Sequence, residues 1–506
     1  MEVEKLMTFD AQIADITDGN TEARDQEPEI RCESETLDIK HNGESGTNES
    51  IVTAVLDISQ SKAKWNLLVL SICFTLMFSA FNSFANIQST INISGGLGTT
   101  GLAILYATMV VTNLFVTVVT LPKLRFKPML MISMLCYVCY MATGYYSSWY
   151  TIVPGSIIIG FGASHLWPTQ QAYVSDLSKA YAAHTRMDEI KALVLFNGVF
   201  FGIFYTSQVW GNLCLFIVFN GEADNENLIN NSTQQSFYNN TTVTVHGRNP
   251  TPCGSEFCTS KLQGASPVTQ PAMLQVYYFT TFCVGSGLLS VILLTVFLLN
   301  IRSTQTVTQK GPKHKVKQVT SMLFRSQKQH LLIASTVMTG MTQAFLSGDF
   351  TVAFVSCPYG IENVGLMMIT YGVSMSVSAV VAGKISPQTG NIPVFSLAAV
   401  CHIAALLCML LWAPKPGEIY VVYILSAIWG VSDAINSTIG LSLYMVYFKA
   451  KRDAALSSYR MLSSVGWVVS FGYSAWMCTS VKLYILIAVV VVSYASVIVL
   501  EIKHRQ

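Results

Sequence analysis

The sequence predicts an all-α polytopic membrane protein, with twelve transmembrane helices arranged as two six-helix pseudo-repeats. Three observations lead there. Of 506 residues, 51% are hydrophobic and only 11% are charged, whereas a soluble domain carries about 25% charged residues. The polar surface that a soluble chain needs is missing. Apolar segments of bilayer-spanning length then succeed one another from about residue 65 to residue 502. Finally, the second six segments repeat the first six at a nearly constant offset. Spans one and seven, 264 positions apart, share eight identities in seventeen ungapped positions, from Leu67/Leu331 to Ser83/Ser347. Spans four and ten, 268 apart, both read Gly-x-Ser-ionisable, with Gly162, Ser164 and His165 matched by Gly430, Ser432 and Asp433. At the same offset Gly198 and Tyr205 of span five meet Gly466 and Tyr473 of span eleven.

Taken in order, residues 1–60 hold fifteen Asp or Glu and almost no aromatics. Such a composition buries too little apolar surface to offset ordering entropy, so this stretch reads as a disordered acidic cytosolic tail without a cleavable signal peptide. The N-terminal six-helix half covers 61–301, with spans near 65–88, 99–121, 128–146, 151–173, 193–217 and 274–300. A long hydrophilic loop, 220–272, separates its last two spans. A basic connector, 302–329, leads to the C-terminal half, 330–506, with spans near 330–351, 363–383, 392–412, 419–446, 457–478 and 482–502. The connector lies between span ends, which assigns it to topology or lipid headgroups rather than to nucleic acid. Seven cysteines inside apolar runs, Cys73 and Cys408 among them, read as small hydrophobes.

Charge sets the orientation. Arg248, Lys261, Lys415 and Lys482 lie in or beside loops on one side and Arg460 within a span, which leaves twenty-five of thirty Lys and Arg on the other side. The positive-inside rule places both termini in the cytosol. The opposite assignment of the 220–272 loop agrees with its sequons at Asn230, Asn231, Asn239 and Asn240, joined by Asn92 in the first outer loop. Asn436 also begins a sequon, but inside a span, and reads as a chance match. Cys253 and Cys258 share the outer loop, and on an oxidising face their spacing favours a small disulfide-closed loop. A zinc site would need more ligands than the nearby His246 offers, and Cys357 on the next outer loop ranks second as a partner.

Polar groups at bilayer depth are costly unless they face protein or water, which makes them candidates for function. His165 and Asp433, at matched positions, are expected to meet across a central cavity lined also by Ser164, Trp167, Gln170 and Ser432. A carboxylate raises a neighbouring imidazole's pKa, so such a pair binds a cation or relays a proton; the plainer alternative is a helix-packing hydrogen bond at each. Pro168 removes a backbone donor from span four, and Gln170 or Gln171 is expected to satisfy the freed groups. Arg460 is expected to snorkel to the cytosolic interface, and Asp349 to sit at the outer interface, unless the two belong to a buried charge relay. No hydrolase triad, phosphate loop, dinucleotide fingerprint or metal-ligand cluster is legible, so neither an enzyme nor a cofactor is expected.

Six plus six spans in parallel repeats, joined by a long connector, is the arrangement of major-facilitator transporters, in which spans one, four, seven and ten line a midplane cavity. Four segments then resemble the Unc-93-like family. They are Gly160–Tyr173 (GFGASHLWPTQQAY), Cys253–Cys258 (CGSEFC), Phe345–Thr351 (FLSGDFT) and Trp429–Asp433 (WGVSD), in the family's order and spacing. The match runs from about residue 62 to 500 and resembles the homolog A branch. The resemblance implies a major-facilitator fold in the plasma membrane or, alternatively, in the endoplasmic reticulum or endosomes. It implies a regulatory or accessory partner of another membrane protein, such as a potassium channel. One family member accompanies a two-pore potassium channel, and another escorts nucleic-acid-sensing Toll-like receptors, so a trafficking chaperone is a further expectation. A solute or proton-coupled transporter is the remaining one, although the resemblance identifies no solute. The loop from Pro122 to Pro128 lacks the acid that normally latches the two halves of a carrier.

Overall fold

The computed structural model describes residues 58–117, 125–187, 189–220, 253–258, 271–301, 321, 326–415, 417–448 and 452–504. The acidic tail before residue 58, nearly all of the basic connector, and the sequons at Asn230, Asn231, Asn239 and Asn240 lie outside them. Helix is the expected element, because a lipid-facing backbone must satisfy its own hydrogen bonds within one segment. Twelve membrane-length units form. The N-terminal half consists of α1 (Gln60–Ile91), α2 (Leu97–Thr112, extended by Asn113–Thr117), α3 (Phe126–Ala142), α4 (Trp149–Thr185), α5 (Glu189–Phe204 and Ser207–Asn220) and α6 (Met273–Phe297). The C-terminal half consists of α7 (Gln327–Phe345, continued through Leu346–Ser356), α8 (Glu362–Thr389), α9 (Asn391–Leu411), α10 (Ile419–Tyr447), α11 (Arg452–Ser474) and α12 (Thr479–His504).

Ten of these are long and apolar enough to cross a bilayer on length and composition alone. The other two, α4 and α11, are diluted by the polar side chains that matter below, among them His165, Gln170 and Arg460. Two departures from regular helix are local. Between its two segments α5 breaks at Tyr205–Thr206, and the Ile203 carbonyl there accepts from the Thr206 hydroxyl at 2.7 Å and from Thr75 of α1 at 3.1 Å. In α7 the stretch Leu346–Ser356 winds as a wide π-helix with every residue buried. Such turns shift side-chain register and recur at functional sites.

Each half packs around the same kind of close helix crossing. A Cβ on Gly211 of α5 would collide with the Ser79 carbonyl of α1, and one on Gly340 of α7 with the Ser463 carbonyl of α11. Small residues that let backbones approach are the usual membrane packing device. Between the halves, Tyr106 of α2 stacks on Trp467 of α11 at 4.7 Å, and Gly372 of α8 fits against Gln208 of α5. Near the ends of α1 and α7, Ser89 bonds Thr351 at 3.3 Å and Thr90 bonds Ser356 at 3.1 Å.

That end of the bundle carries two disulfides, and it is called the disulfide face below. Cys253 pairs with Cys357 at the end of α7, and Cys258 with Cys478 before α12. The expected Cys253–Cys258 bond is therefore corrected: both cysteines reach across to the C-terminal half. The reason lies in the packing of the six residues from Cys253 to Cys258. Phe257 is buried, its carbonyl accepts from the Thr479 backbone at 2.9 Å, and Gly254 is wedged against Pro414. The segment is docked as a plug, with its two ends facing different helices.

Candidate functional site

The polar heart of the molecule is Asp433, fully buried on α10. Its carboxylate accepts from the Tyr371 hydroxyl of α8 at 2.9 Å and from the Thr342 hydroxyl of α7 at 3.1 Å. The Nε2 of His402, on α9, stands 3.4 Å from Oδ1, an electrostatic contact longer than a good hydrogen bond. The other imidazole nitrogen lies 3.1 Å from the Tyr494 hydroxyl of α12, which also accepts from the Asn436 amide at 2.8 Å. The Trp429 ring closes over His402 edge-on at 5.1 Å. All members of this network are less than a tenth exposed. A lone buried carboxylate is strongly disfavoured, whereas one with two hydroxyl donors and a neighbouring imidazole is tolerable.

The expected His165–Asp433 pair does not form. His165 is buried on α4, with Nδ1 2.9 Å from the Phe161 carbonyl and 3.1 Å from the Ser164 hydroxyl, and its ring lies 4.6 Å from that of Phe161. The correction has a geometrical cause. Matched positions in a repeat turn toward matched places, and here that place is the interior of each half, not the gap between them. Ser164 and Ser432 likewise bond back to their own helices, to the Phe161 carbonyl at 2.7 Å and the Ile428 carbonyl at 3.3 Å. Gln170 is fully buried with no partner for either amide atom, so it does not satisfy the groups freed by Pro168. Trp167 packs in an aromatic nest, 5.0 Å from Phe78 and 5.5 Å from Phe204.

Asp349 is not interfacial either. It is buried in the π-helical part of α7 and accepts from Lys482 Nζ at 2.6 Å and from the Ser474 hydroxyl at 2.6 Å. The ammonium also donates to the Ser474 carbonyl at 2.7 Å. Lys482 is thus a buried counterion, where its position near a span end had suggested a loop charge. A cavity of about 10 Å³, lined by Ser89, Asn92, Thr99 and Ser474, adjoins this pair and has room for a single water. Asn92 is nearly buried in that wall, with its amide donating to Gln88 at 2.7 Å. Arg460 points into the bundle instead of to the interface, with its guanidinium 5.0 Å above the Trp167 ring. It makes no charge relay with Asp349, whose cation is Lys482.

His402, Tyr371, Tyr494 and Lys482 went unremarked as site residues in the sequence. His402 carried a usable signal, since it is an ionisable residue in the middle of the apolar segment Asn391–Leu411, the same criterion that singled out His165. The tyrosines and Lys482 carried none, because one sequence does not say which helix faces touch. Among the described residues no three His, Cys, Asp or Glu side chains gather as a metal site.

Comparison with known proteins places this arrangement. The fold matches the nucleoside transporter NupG, with a TM-score of 0.53 at 11% identity over 84% of this chain and 98% of that one. It matches the D-xylose–proton symporter with a TM-score of 0.54 at 12% identity over 85% and 95%. Likeness at this identity shows a major-facilitator fold and no more. By sequence, the chain is 34% identical to protein unc-93 homolog A of Xenopus laevis across 87% of its length and 94% of that protein. It is 32% identical to the Homo sapiens homolog A over 87% and 94%. The Caenorhabditis elegans protein unc-93, named provisionally as a potassium channel regulatory protein, is 24% identical over 83% of this chain and 58% of its own. Residues 88–499 match the family model described as ion channel regulatory protein UNC-93, and the chain belongs to the UNC-93 family.

Proposed function

We propose that this protein is a regulatory partner of another membrane protein, a potassium channel, and that its major-facilitator bundle serves as a scaffold, not as a freely cycling carrier. The observation that carries this reading is the disulfide face. Two bonds, Cys253–Cys357 and Cys258–Cys478, tie a segment of the N-terminal half to the C-terminal half. Alternating access needs the halves to separate on each side in turn, and a covalent tie across one side restrains half of that cycle. The bonds also favour an oxidising, extracytosolic location for this face, which supports the reading of both termini as cytosolic. Support for the partner class comes from the family description and from the name of the Caenorhabditis elegans relative. The cell surface is the compartment in which such a partner acts.

The test is purification of the tagged chain, in mild detergent, from cells that express potassium channels. Recovery of a channel subunit well above that seen with an unrelated twelve-helix carrier is expected, and Asp433→Asn should leave that recovery intact. A partner list without channel subunits overturns the reading. One observation favours a second reading, a proton-coupled transporter: the His402–Asp433 contact, an imidazole beside a carboxylate fully buried within the bundle. Under that reading Asp433→Asn abolishes proton-driven uptake.

A further inference from the structure

Three buried carboxylates each have a basic side chain beside them within the chain. Asp433 has His402, Asp349 has Lys482, and Asp176 has Lys179 at 3.5 Å. Arg460 is different. Among the described residues no carboxylate pairs with it and no acceptor takes its N–H donors; its one recorded partner is the face of Trp167. The residue lies eight positions into α11, about 12 Å along the helix axis at 1.5 Å per residue. Trp167 belongs to α4, in the other half, so the contact sits between the halves. Arg460 and Trp167 are both only partly buried.

The surroundings are aromatic on several sides. Phe74, Phe78 and Phe204 surround the Trp167 ring at 5.9, 5.0 and 5.5 Å. The hydroxyl-bearing rings of Tyr137, Tyr205 and Tyr459 lie within electrostatic reach of the guanidinium. Tyr205 stands at the break in α5, where the chain leaves regular helix. One turn along α4 from Trp167, Gln170 is fully buried with both amide atoms unpartnered, a second polar group for which the protein supplies nothing. Cation–π stacking occupies only the face of a guanidinium. Its in-plane N–H fork is left over, and that fork matches a carboxylate bidentately.

We propose that Arg460 anchors a binding site between the two halves for a small aromatic carboxylate. The carboxylate meets the N–H edge of Arg460, and the ligand's ring lies against Trp167 and Tyr205, the partly exposed members of the aromatic cluster that Phe78 and Phe204 back. The site goes beyond the channel-partner reading and does not depend on it, because it is assayed on the purified chain with no partner present.

The probe is radiolabelled benzoate, measured by equilibrium dialysis on full-length protein in detergent. Saturable binding is expected, with unlabelled benzamide and acetate competing far less well than unlabelled benzoate. The first lacks the charge and the second the ring. Arg460→Gln should weaken binding by about tenfold or more, since a charge-assisted pair is lost, and Arg460→Lys should fall between. Should Arg460→Gln fail to fold, Trp167→Leu and the benzamide competition decide, because a site of this kind loses affinity when its ring wall goes. Absence of saturable binding overturns the proposal. So does benzamide competing as well as benzoate, or a folded Arg460→Gln protein of unchanged affinity.

Discussion

At the scale of single residues, the structure separates buried charge that is matched from buried charge that is not. Asp349 and Lys482 are each nearly inaccessible and lie 2.6 Å apart. Removing one member of such a pair leaves the other charge stranded, at a cost of about 3–5 kcal/mol, whereas replacing both with apolar groups of similar size is close to neutral. Asp349→Asn should therefore lower the thermal unfolding midpoint in detergent sharply, and Asp349→Leu combined with Lys482→Met should largely restore it. Equal midpoints for the single and double variants would mean that the pair contributes nothing specific. Asp433 supplies a different contrast, because Asn in its place keeps one oxygen to accept from one of the two hydroxyls, while its NH2 donates to the oxygen of the other. Asp433→Asn is expected to be mild, and Asp433→Leu, which strands the Tyr371 hydroxyl while Thr342 keeps the Thr339 carbonyl at 3.2 Å, to cost about 1–3 kcal/mol. The same unfolding measurement ranks the two. Sequence reasoning found the acids at both sites because a charge in an apolar run is visible in one dimension. It missed their partners because His402 and Lys482 sit on other helices, and no local pattern says which faces meet.

At the scale of helices, the close crossings are what fix the halves. Gly340 faces the backbone carbonyl of Ser463, and a carbonyl in a helix cannot swing aside as a flexible side chain does. Gly340→Val is expected to destabilise by about 1–3 kcal/mol or more through overpacking. The drop should appear as a smaller monodisperse peak in size-exclusion chromatography after extraction, and as a lower unfolding midpoint. Gly198→Val is the matched control, because a Cβ there meets nothing within 4 Å. Helix positions and the twelvefold count were legible in the sequence, since hydropathy and length are local properties and the repeat reinforces them. The break in α5 and the π-helical stretch of α7 were not. In the first, a carbonyl at Ile203 is satisfied by Thr75, a residue more than a hundred positions away; the second is fully enclosed by neighbouring helices. Both are tertiary outcomes that local propensity does not carry.

At the scale of the whole molecule, the disulfides decide how far the two halves move as independent bodies. The bonds span 104 and 220 residues of sequence, and both cross from the segment before α6 to the C-terminal half. That Cys253, Cys258 and Cys357 share one face was readable beforehand, but not the connectivity, because with Cys478 there are four cysteines there and three possible pairings. The two patterns make opposite predictions once the chain is cut in the connector between Ile301 and Ser326. With a protease site placed there, cleaved protein should run as one band on a denaturing gel without reductant and as two bands with it. Had Cys253 paired with Cys258, the halves would part without any reductant. Cys253→Ser and Cys258→Ser singly should each leave the cleaved halves linked, and the double substitution should free them. That double variant is also the one to carry into the channel assay. If the tie keeps the bundle in the shape its partner recognises, channel recovery should fall in the double variant while both singles retain it. A double variant that recovers the channel as well as the native chain does would assign the disulfides to stability alone.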